Sequence, residues 1–178
     1  MKKIKVEIIK SNKGYQVPIG DGLTLTFKNK KKAEKFIIKF SQLIDLTLQS
    51  ISQLNSNIYS LYRQYYFQLP LSTIHVIDEC FADFNDRFRY VFKAYSKGNS
   101  GFVFNNIDML FIYCNTPLDL LKSFAYRNKE VSLKHQTKSI LNLLEIVRAD
   151  YDDNRYNPNN VQKLNNYKPL IKLKTNLN

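Results

Sequence analysis

The sequence predicts a mainly α-helical protein, an antiparallel bundle of about four helices preceded by a small antiparallel β-meander. Isoleucine occupies four heptad positions in succession, Ile37, Ile44, Ile51 and Ile58, which is typical of a long helix packed against partners. Polar and apolar residues alternate before residue 28, and short polar connections separate the later apolar segments. We expect a single domain, with the meander in residues 1–28, the bundle in 29–149 and an extended tail in 150–178.

Three short segments of the N-terminal region show the alternation expected of strands with one buried face. Their apolar residues are Ile4, Val6 and Ile8, then Tyr15, Val17 and Ile19, then Leu23, Leu25 and Phe27. Turns are predicted at Asn12-Lys13-Gly14 and at Gly20-Asp21-Gly22. Because two or three strands alone are only marginally stable, the apolar side of this meander should pack on the helices.

The long helix is predicted to run from about residue 30 to about residue 67, with Asn29 as its N-cap. No Gly or Pro occurs between Asn29 and Pro70. Three positions after each heptad isoleucine comes a second residue on the same face of the helix, and these residues are Phe40, Thr47, Leu54 and Leu61. One helix of about 38 residues would measure about 57 Å and span the domain.

A second helix is predicted after Pro70, capped by Ser72 or Thr73. Its apolar positions alternate in steps of three and four residues and are Ile74, Ile77, Phe81, Phe84, Phe88, Val91 and Tyr95. The glycine-containing loop of residues 97–101 should end it. The spacing therefore favours a second bundle helix of the same kind as the first.

The third helical region is predicted to be two short helices with a kink, because Thr116, Pro117 and Asp119 resemble a new helix start. Its apolar residues are Ile107, Leu110, Phe111, Cys114, Leu118 and Leu121. A fourth helix is predicted from about residue 132 to about residue 149, and its apolar residues are Leu133, Ile140, Leu143, Leu144 and Val147.

The tail, residues 150–178, is polar, rich in asparagine and contains Pro158 and Pro169. Alternation returns near its end, where the apolar side is formed by Ile171, Leu173, Thr175 and Leu177. We expect this segment to add a strand to the meander or to lie along a neighbouring chain. Asp150, Asp152, Asp153 and Asn154 resemble a cation-binding loop only loosely, since the glycine and final glutamate of an EF-hand are missing.

The net charge of +12 is concentrated towards the ends of the chain. Residues 1–39 hold eleven lysines and three acidic residues, whereas residues 40–130 hold eight basic and eight acidic residues. Cations in the first turn of a helix oppose the helix dipole, and an anion bound there would relieve this conflict. We therefore predict an anion or nucleic-acid site formed by Lys28, Lys30, Lys31, Lys32 and Lys35. The alternative is that these lysines are simply hydrated, since many basic proteins are basic for solubility alone.

The sequence favours a protein that is not an enzyme. No GxGxxG, P-loop, HExxH, GxSxG or zinc-finger spacing occurs, and we predict neither a metal nor a cofactor. The two histidines, His75 and His135, fall on different predicted helices. A pairing of one of them with Cys80 or Cys114 is an alternative, but reduced core thiols are the more frequent use of such cysteines.

Two further surface patterns have a structural and a functional interpretation. Glu79, Asp83 and Asp86 fall on one outer face of the second helix, where they would be hydrated or would dock against basic residues of another copy. Aromatic residues crowd the end of the long helix beside Arg63, where they would pack in the core or between subunits, or stack on nucleobases. They are Tyr59, Tyr62, Tyr65, Tyr66 and Phe67.

These observations predict a structural, assembly or adaptor subunit of a larger intracellular complex, such as a virion or a ribonucleoprotein particle. Its expected partners are protein subunits and a polyanion contacted by the basic N-terminal region, with nucleic acid as one possible polyanion and homo-oligomers as a possible form. The alternative is a free-standing nucleic-acid-binding accessory protein. No run of about 18 apolar residues and no secretory signal occurs, so we expect no membrane partner.

Overall fold

The computed structural model describes residues 7–20, 23–97 and 100–155, and it confirms the predicted fold class. The described residues form three strands, β1 (Ile9–Ser11), β2 (Gly14–Gly20) and β3 (Leu23–Phe27), followed by four helices. The helices are α1 (Lys30–Tyr65), α2 (Leu71–Ser96), α3 (Ser100–Arg127) and α4 (Val131–Arg155). A single 3₁₀ turn, Tyr66–Gln68, follows α1, so the long helix ends within two residues of its predicted end.

The strands form an antiparallel sheet in the order β1-β2-β3, as the alternation predicts. Gly14 has a φ of 125°, and a Cβ at this position would collide with the carbonyl oxygen of Phe27, so the β1–β2 turn requires glycine. Val17 is buried, and the rings of Phe27 and Phe36 lie 5.2 Å apart, which holds the sheet against the first turns of α1. Ile4 and Val6, expected in the first strand, lie outside the described residues.

The apolar positions predicted for α1 form its core face. Ile44, Ile51 and Ile58 are fully buried, while Ile37 and Tyr65 at the ends of the pattern are half-buried. Phe40, Thr47, Leu54 and Leu61 are buried as well. The N-cap is confirmed, because the Asn29 Oδ1 accepts a hydrogen bond of 2.9 Å from the backbone N–H of Lys32.

The predicted cap of α2 is wrong. The helix begins at Leu71, and Pro70 occupies the cap position without a side-chain hydrogen bond. The carbonyl of Pro70 accepts from the backbone N–H groups of Thr73 and Ile74 at 2.9 and 3.0 Å. Because the φ of −58° and ψ of 143° at Pro70 already suit a residue that precedes a helix, the helix starts before the predicted cap residues Ser72 and Thr73 are reached.

The predicted break in the third helix is also wrong, since α3 continues through Pro117. The residues that suggested a new helix start form hydrogen bonds along the helix instead. Thr116 Oγ1 donates to the carbonyl oxygen of Ile112 at 3.2 Å, and Asn115 Nδ2 donates to the Asp119 carboxylate at 2.7 Å. The loss of one backbone donor at Pro117 is thus accommodated within a helix packed against α1, α2 and α4.

The fourth helix extends to Arg155, so the first six residues of the predicted extended tail are helical. Asp150, Asp152, Asp153 and Asn154 lie on this helix, so the segment with the loose resemblance to a cation-binding loop is helical. Tyr151 is fully buried, with its ring 6.0 Å from that of Phe111, and this apolar contact explains why the helix persists. The remaining tail, with Ile171, Leu173, Thr175 and Leu177, lies outside the described residues.

The helices form an antiparallel bundle in which α2 packs on α3, α3 on α4, and α1 on both α3 and α4. The sheet packs on α1 and α3. The backbones of α1 and α2 are held further apart, and these helices meet mainly through aromatic side chains such as Tyr62 and Phe81, whose ring centroids are 5.7 Å apart. We call the end of the bundle that carries the sheet the sheet end, and the end with the α1–α2 and α3–α4 connections the turn end.

Candidate functional site

The five predicted site lysines lie together at the sheet end, around the first turns of α1, and all five side chains are exposed. They are Lys28, Lys30, Lys31, Lys32 and Lys35. We call this set the lysine array. Lys30 Nζ lies 3.8 Å from the Glu34 carboxylate, a distance that makes a weak surface ion pair. The other four lysines have their ammonium groups available at the surface around the positive end of the helix dipole.

The lysine array attracts anions by charge, through side chains that are all exposed. The first turn of α1 contains no acidic residue, and Glu34, one turn later, reduces its positive field. The backbone N–H of Lys32 already donates to the Asn29 side chain, so this amide is used by the cap. The array therefore suits an extended polyanion, whose many charges are contacted by mobile ammonium groups, better than a small anion bound to backbone amides.

A second exposed surface, of apolar character, lies at the turn end. Phe67 is 95% exposed and Leu71 is 82% exposed, although both are large apolar residues. Val131 and Tyr126, from the other connection at this end, are 65% and 56% exposed. We call these four residues the turn-end surface. Large exposed apolar side chains grouped in this way are typical of interaction sites.

Sequence reasoning missed three of these four residues. One signal was present, because the α1–α2 connection reads Phe67-Gln68-Leu69-Pro70-Leu71 and so carries more large apolar residues than a turn requires. Leu69 is buried and accounts for one of them. That Tyr126 and Val131 lie at the same end follows only from the antiparallel topology of the bundle.

The aromatic cluster at the end of α1 is mostly structural. Tyr62 is buried against Phe81, and Tyr59 meets the same Phe81 edge to face at 5.1 Å. Tyr66 packs on Tyr62 at 5.4 Å. The guanidinium of Arg63 lies 5.3 Å from the centre of the Tyr66 ring. Most of these rings are therefore engaged within the protein, and Phe67 alone among the five predicted aromatic residues is almost fully exposed.

A groove of about 380 Å³ lies between α1 and α2. Its apolar wall includes Leu48, Phe88 and Phe92, and its polar wall includes Asp45 and Gln49. The Tyr95 hydroxyl donates to the Ser41 carbonyl oxygen at 3.1 Å. Burial raises the pKa of Tyr95, and the nearby Asp45 carboxylate raises it further. The groove thus combines aromatic surface with hydrogen-bonding groups, which is a composition found in binding sites for small molecules.

The described cysteines are free thiols in surroundings that disfavour the reactive thiolate. Cys114 is fully buried, and burial raises the pKa of its thiol. Burial also raises the pKa of Cys80, and the charges of Asp83 and Glu79 act in the same direction. His75 lies 3.2 Å from the Glu79 carboxylate on the surface of α2, and His135 is exposed on α4. The geometry around these residues gives no support to a cysteine nucleophile.

The acidic residues of α2 are placed as predicted, on its outer face. Glu79, Asp83 and Asp86 are exposed, and Asp86 lies 3.8 Å from Arg89 of the same helix. Across residues 7–20, 23–97 and 100–155, no group of three or more His, Cys, Asp and Glu side chains is arranged to hold a metal ion. The outer face of α2 is thus a charged surface with local ion pairs.

None of the helices in the described part of the chain is long and apolar enough to cross a membrane. Comparisons with protein-family models, with curated proteins and with solved structures find no match for this chain.

Proposed function

We propose that this protein is a non-enzymatic structural or adaptor subunit of a larger assembly formed inside the cell, of the virion or ribonucleoprotein type. In this role the lysine array contacts a polyanion, and the turn-end surface contacts a second partner. The observation that carries the proposal is the placement of two unlike exposed surfaces at opposite ends of one helix. The 36 residues of α1 separate them by about 54 Å, given a rise of 1.5 Å per residue.

Charge supports the contact with a polyanion. Exposed lysines on the first turns of a helix gain most when an anion approaches, because the helix dipole and the ammonium groups attract it together. The contacts made by lysine ammonium groups to phosphates carry no information on base sequence. Binding through the lysine array should therefore depend strongly on salt and weakly on nucleic-acid sequence.

The same array also supports the alternative of a free-standing nucleic-acid-binding accessory protein. The two functions differ in what the turn-end surface does. An adaptor needs that surface for a second partner, whereas an accessory protein needs only the lysine array. The size of the purified protein at low and moderate salt, with and without nucleic acid, separates them, since a monomer that forms only a salt-sensitive nucleic-acid complex favours the accessory protein.

The decisive variant is the triple substitution Lys30→Glu, Lys31→Glu and Lys32→Glu. We expect it to lower the slope of log affinity for a nucleic-acid duplex against log salt by about three units, since each lost phosphate contact removes about one unit. Fluorescence anisotropy with a labelled 20-base-pair duplex, at several salt concentrations and with two unrelated sequences, measures this slope. Equal losses for both sequences would support contacts to the backbone.

The matched control is Lys93→Glu, Lys97→Glu and Lys138→Glu, which reverses the same number of charges at exposed positions outside the array. This control should lower the slope less. Thermal unfolding provides a second readout, because glutamates in the first turn should stabilise the helix, partly offset by loss of the Lys30–Glu34 pair. If nucleic-acid binding is the same for wild type and both triple variants, the lysine array has no part in binding.

A further inference from the structure

The bundle topology brings two chain connections to the turn end. Near this end Tyr62 of α1 donates a hydrogen bond of 2.8 Å from its hydroxyl to Asp78 of α2. Lys134 of α4 lies with its Nζ 4.3 Å from the centre of the Tyr126 ring of α3. Because the bundle is antiparallel and α2 packs on α3, the α1–α2 and α3–α4 connections lie at the same end of the molecule. The turn-end surface therefore combines residues that are about 60 positions apart in the sequence.

Basic side chains surround these apolar residues. Residues 63–74 contain one base, Arg63, and no acid, while residues 126–134 contain three bases and one acid. The three bases, Arg127, Lys129 and Lys134, are exposed, as is Arg63, whereas Glu130 is half-buried. The turn end thus presents exposed apolar side chains together with four exposed positive charges, and the carboxylates of Asp78 and Glu130 offset part of this charge.

We propose that the turn-end surface docks on an anionic lipid bilayer. In this arrangement Phe67 and Leu71 enter the boundary between headgroups and acyl chains, Tyr126 lies at headgroup level, and the surrounding bases contact lipid phosphates. The apolar side chains gain from leaving water, and the excess of positive charge at this end is attracted by the negative surface potential of the bilayer. This contact is peripheral and so departs from the expectation, drawn from the sequence, that no membrane is involved.

Shape and charge favour a bilayer over a protein partner. Phe67 and Leu71 are 95% and 82% exposed, so they project from the bundle and have little protein around them. A bilayer deforms around projecting side chains, whereas a protein partner needs a pocket of matching shape. A second copy of this chain would bring the same excess of positive charge against the first, which opposes association through this end.

The inference rests on the proposed two-surface role, because it names the partner of the second surface. The array at the sheet end also attracts anionic vesicles, so binding alone does not test the proposal. The test must therefore report on insertion at the turn end while the net charge of the protein stays constant.

The chain contains no tryptophan, so Phe67→Trp places a single fluorophore on the turn-end surface. The matched control is Phe92→Trp, because Phe92 is 59% exposed on α2 and lies outside that surface. With vesicles of phosphatidylcholine containing 30% phosphatidylserine, we expect the emission of Phe67→Trp to shift to shorter wavelength and to be quenched by brominated acyl chains. Neither change should occur with Phe92→Trp, or with vesicles of phosphatidylcholine alone.

Affinity is measured by vesicle sedimentation with the double variant Phe67→Ser and Leu71→Ser. We expect it to bind the anionic vesicles at least about tenfold more weakly, because it loses the apolar contribution of two large side chains. The control, Phe92→Ser and Ile146→Ser, changes two apolar side chains that are 59% and 50% exposed elsewhere, and it should bind as wild type does.

Three outcomes would overturn the inference. Unchanged vesicle binding by Phe67→Ser and Leu71→Ser would show that binding comes from the lysine array alone. Absence of vesicle binding would show that the turn end does not dock on a bilayer, and self-association that this double variant abolishes would show that another copy of the chain covers it. Failure of the two-surface role is seen separately, because the turn-end variant should retain duplex binding and the triple lysine variant should retain the Phe67→Trp fluorescence shift.

Discussion

Two buried tyrosines join α1 to α2 on either side of the groove. The Tyr62 hydroxyl donates to Asp78, and the Tyr95 hydroxyl donates to the backbone carbonyl of Ser41. Burial is the largest cause of the raised pKa of both tyrosines, followed by the hydrogen bond to Asp78 for Tyr62 and by the nearby Asp45 carboxylate for Tyr95. Both hydroxyls are therefore held in the protonated form in the folded state.

We predict that these tyrosines make the protein sensitive to alkali. The unfolded chain loses tyrosine protons near pH 10, whereas the folded protein retains these two to higher pH. The contribution of these tyrosines to the free energy of unfolding is fully present below a pH of about 10. It is lost as the pH rises further, by up to about 1.4 kcal/mol per pH unit for each tyrosine. Urea unfolding at pH 8, 10 and 11 measures how steeply the free energy of unfolding falls with pH.

The variant Tyr62→Phe with Tyr95→Phe should be less stable at pH 8 by about 0.5–1.5 kcal/mol for each lost hydrogen bond, and it should lose stability more slowly above pH 10. Tyr90→Phe is the control, because Tyr90 is 61% exposed. If the free energy of unfolding falls equally steeply with pH in wild type and in the double variant, the prediction is contradicted.

Single residues were predicted well where one local interaction decides the structure. Asn29 caps α1 because its side chain reaches the N–H of Lys32, and this depends only on neighbours in sequence. Pro117 was misjudged because packing on three other helices outweighs the loss of one backbone hydrogen bond. The residues next to Pro117 in the sequence do not reveal how strongly the other helices stabilise α3.

At the scale of elements, α1 organises the core. Its buried face follows the heptad pattern, and it packs on both α3 and α4. The face also includes polar atoms, since Thr47 Oγ1 and Asn55 Oδ1 are buried without a hydrogen-bond partner in the described residues. The stability of α1 therefore depends strongly on its apolar residues.

We predict that Ile51→Ala lowers the free energy of unfolding by about 2–5 kcal/mol, because Ile51 is fully buried and truncation leaves a cavity. Urea denaturation measures this loss. Gln64→Ala, at an exposed position of the same helix, should change stability by less than about 0.5 kcal/mol. A comparably small effect of Ile51→Ala would mean that this face is not the core.

The spacing of apolar residues predicted which segments are helices and which are strands, but it predicted the residues at which they end less well. The heptad repeat predicts α1 to within two residues at its end, because a long pattern averages over many positions. The end of α4 was missed by six residues, because Tyr151 is buried against Phe111 within a polar segment. Such a contact depends on tertiary structure and leaves no periodic signal.

At the scale of the whole molecule, the lysine array and the turn-end surface occupy opposite ends of a rod-like helix. The role of the array in binding stays a prediction, but the grouping of its five lysines was predicted from the sequence, because they lie within eight consecutive positions. The turn-end surface was not, because it combines two connections that only the bundle topology brings together. A surface formed by residues that are distant in the sequence therefore could not be predicted from the sequence alone.

We predict that substitutions at the two ends act independently. Combining Lys30→Glu, Lys31→Glu and Lys32→Glu with Phe67→Ser and Leu71→Ser should change the free energy of unfolding by the sum of the separate effects, within about 0.5 kcal/mol, since distant sites usually add. Urea unfolding of the parent, both single-end variants and the combined variant forms the cycle. A larger coupling energy would show that the bundle transmits strain between its ends.

The packing order of the helices also has a consequence for synthesis on the ribosome. The helices that pack most closely on α1 are α3 and α4, which are translated later, whereas α2, which follows directly, packs mainly on α3. A nascent chain that has produced only α1 and α2 still lacks the surfaces that cover Ile44, Ile51 and Ile58. We therefore expect the bundle to fold late in translation, after α3 and α4 have been synthesised.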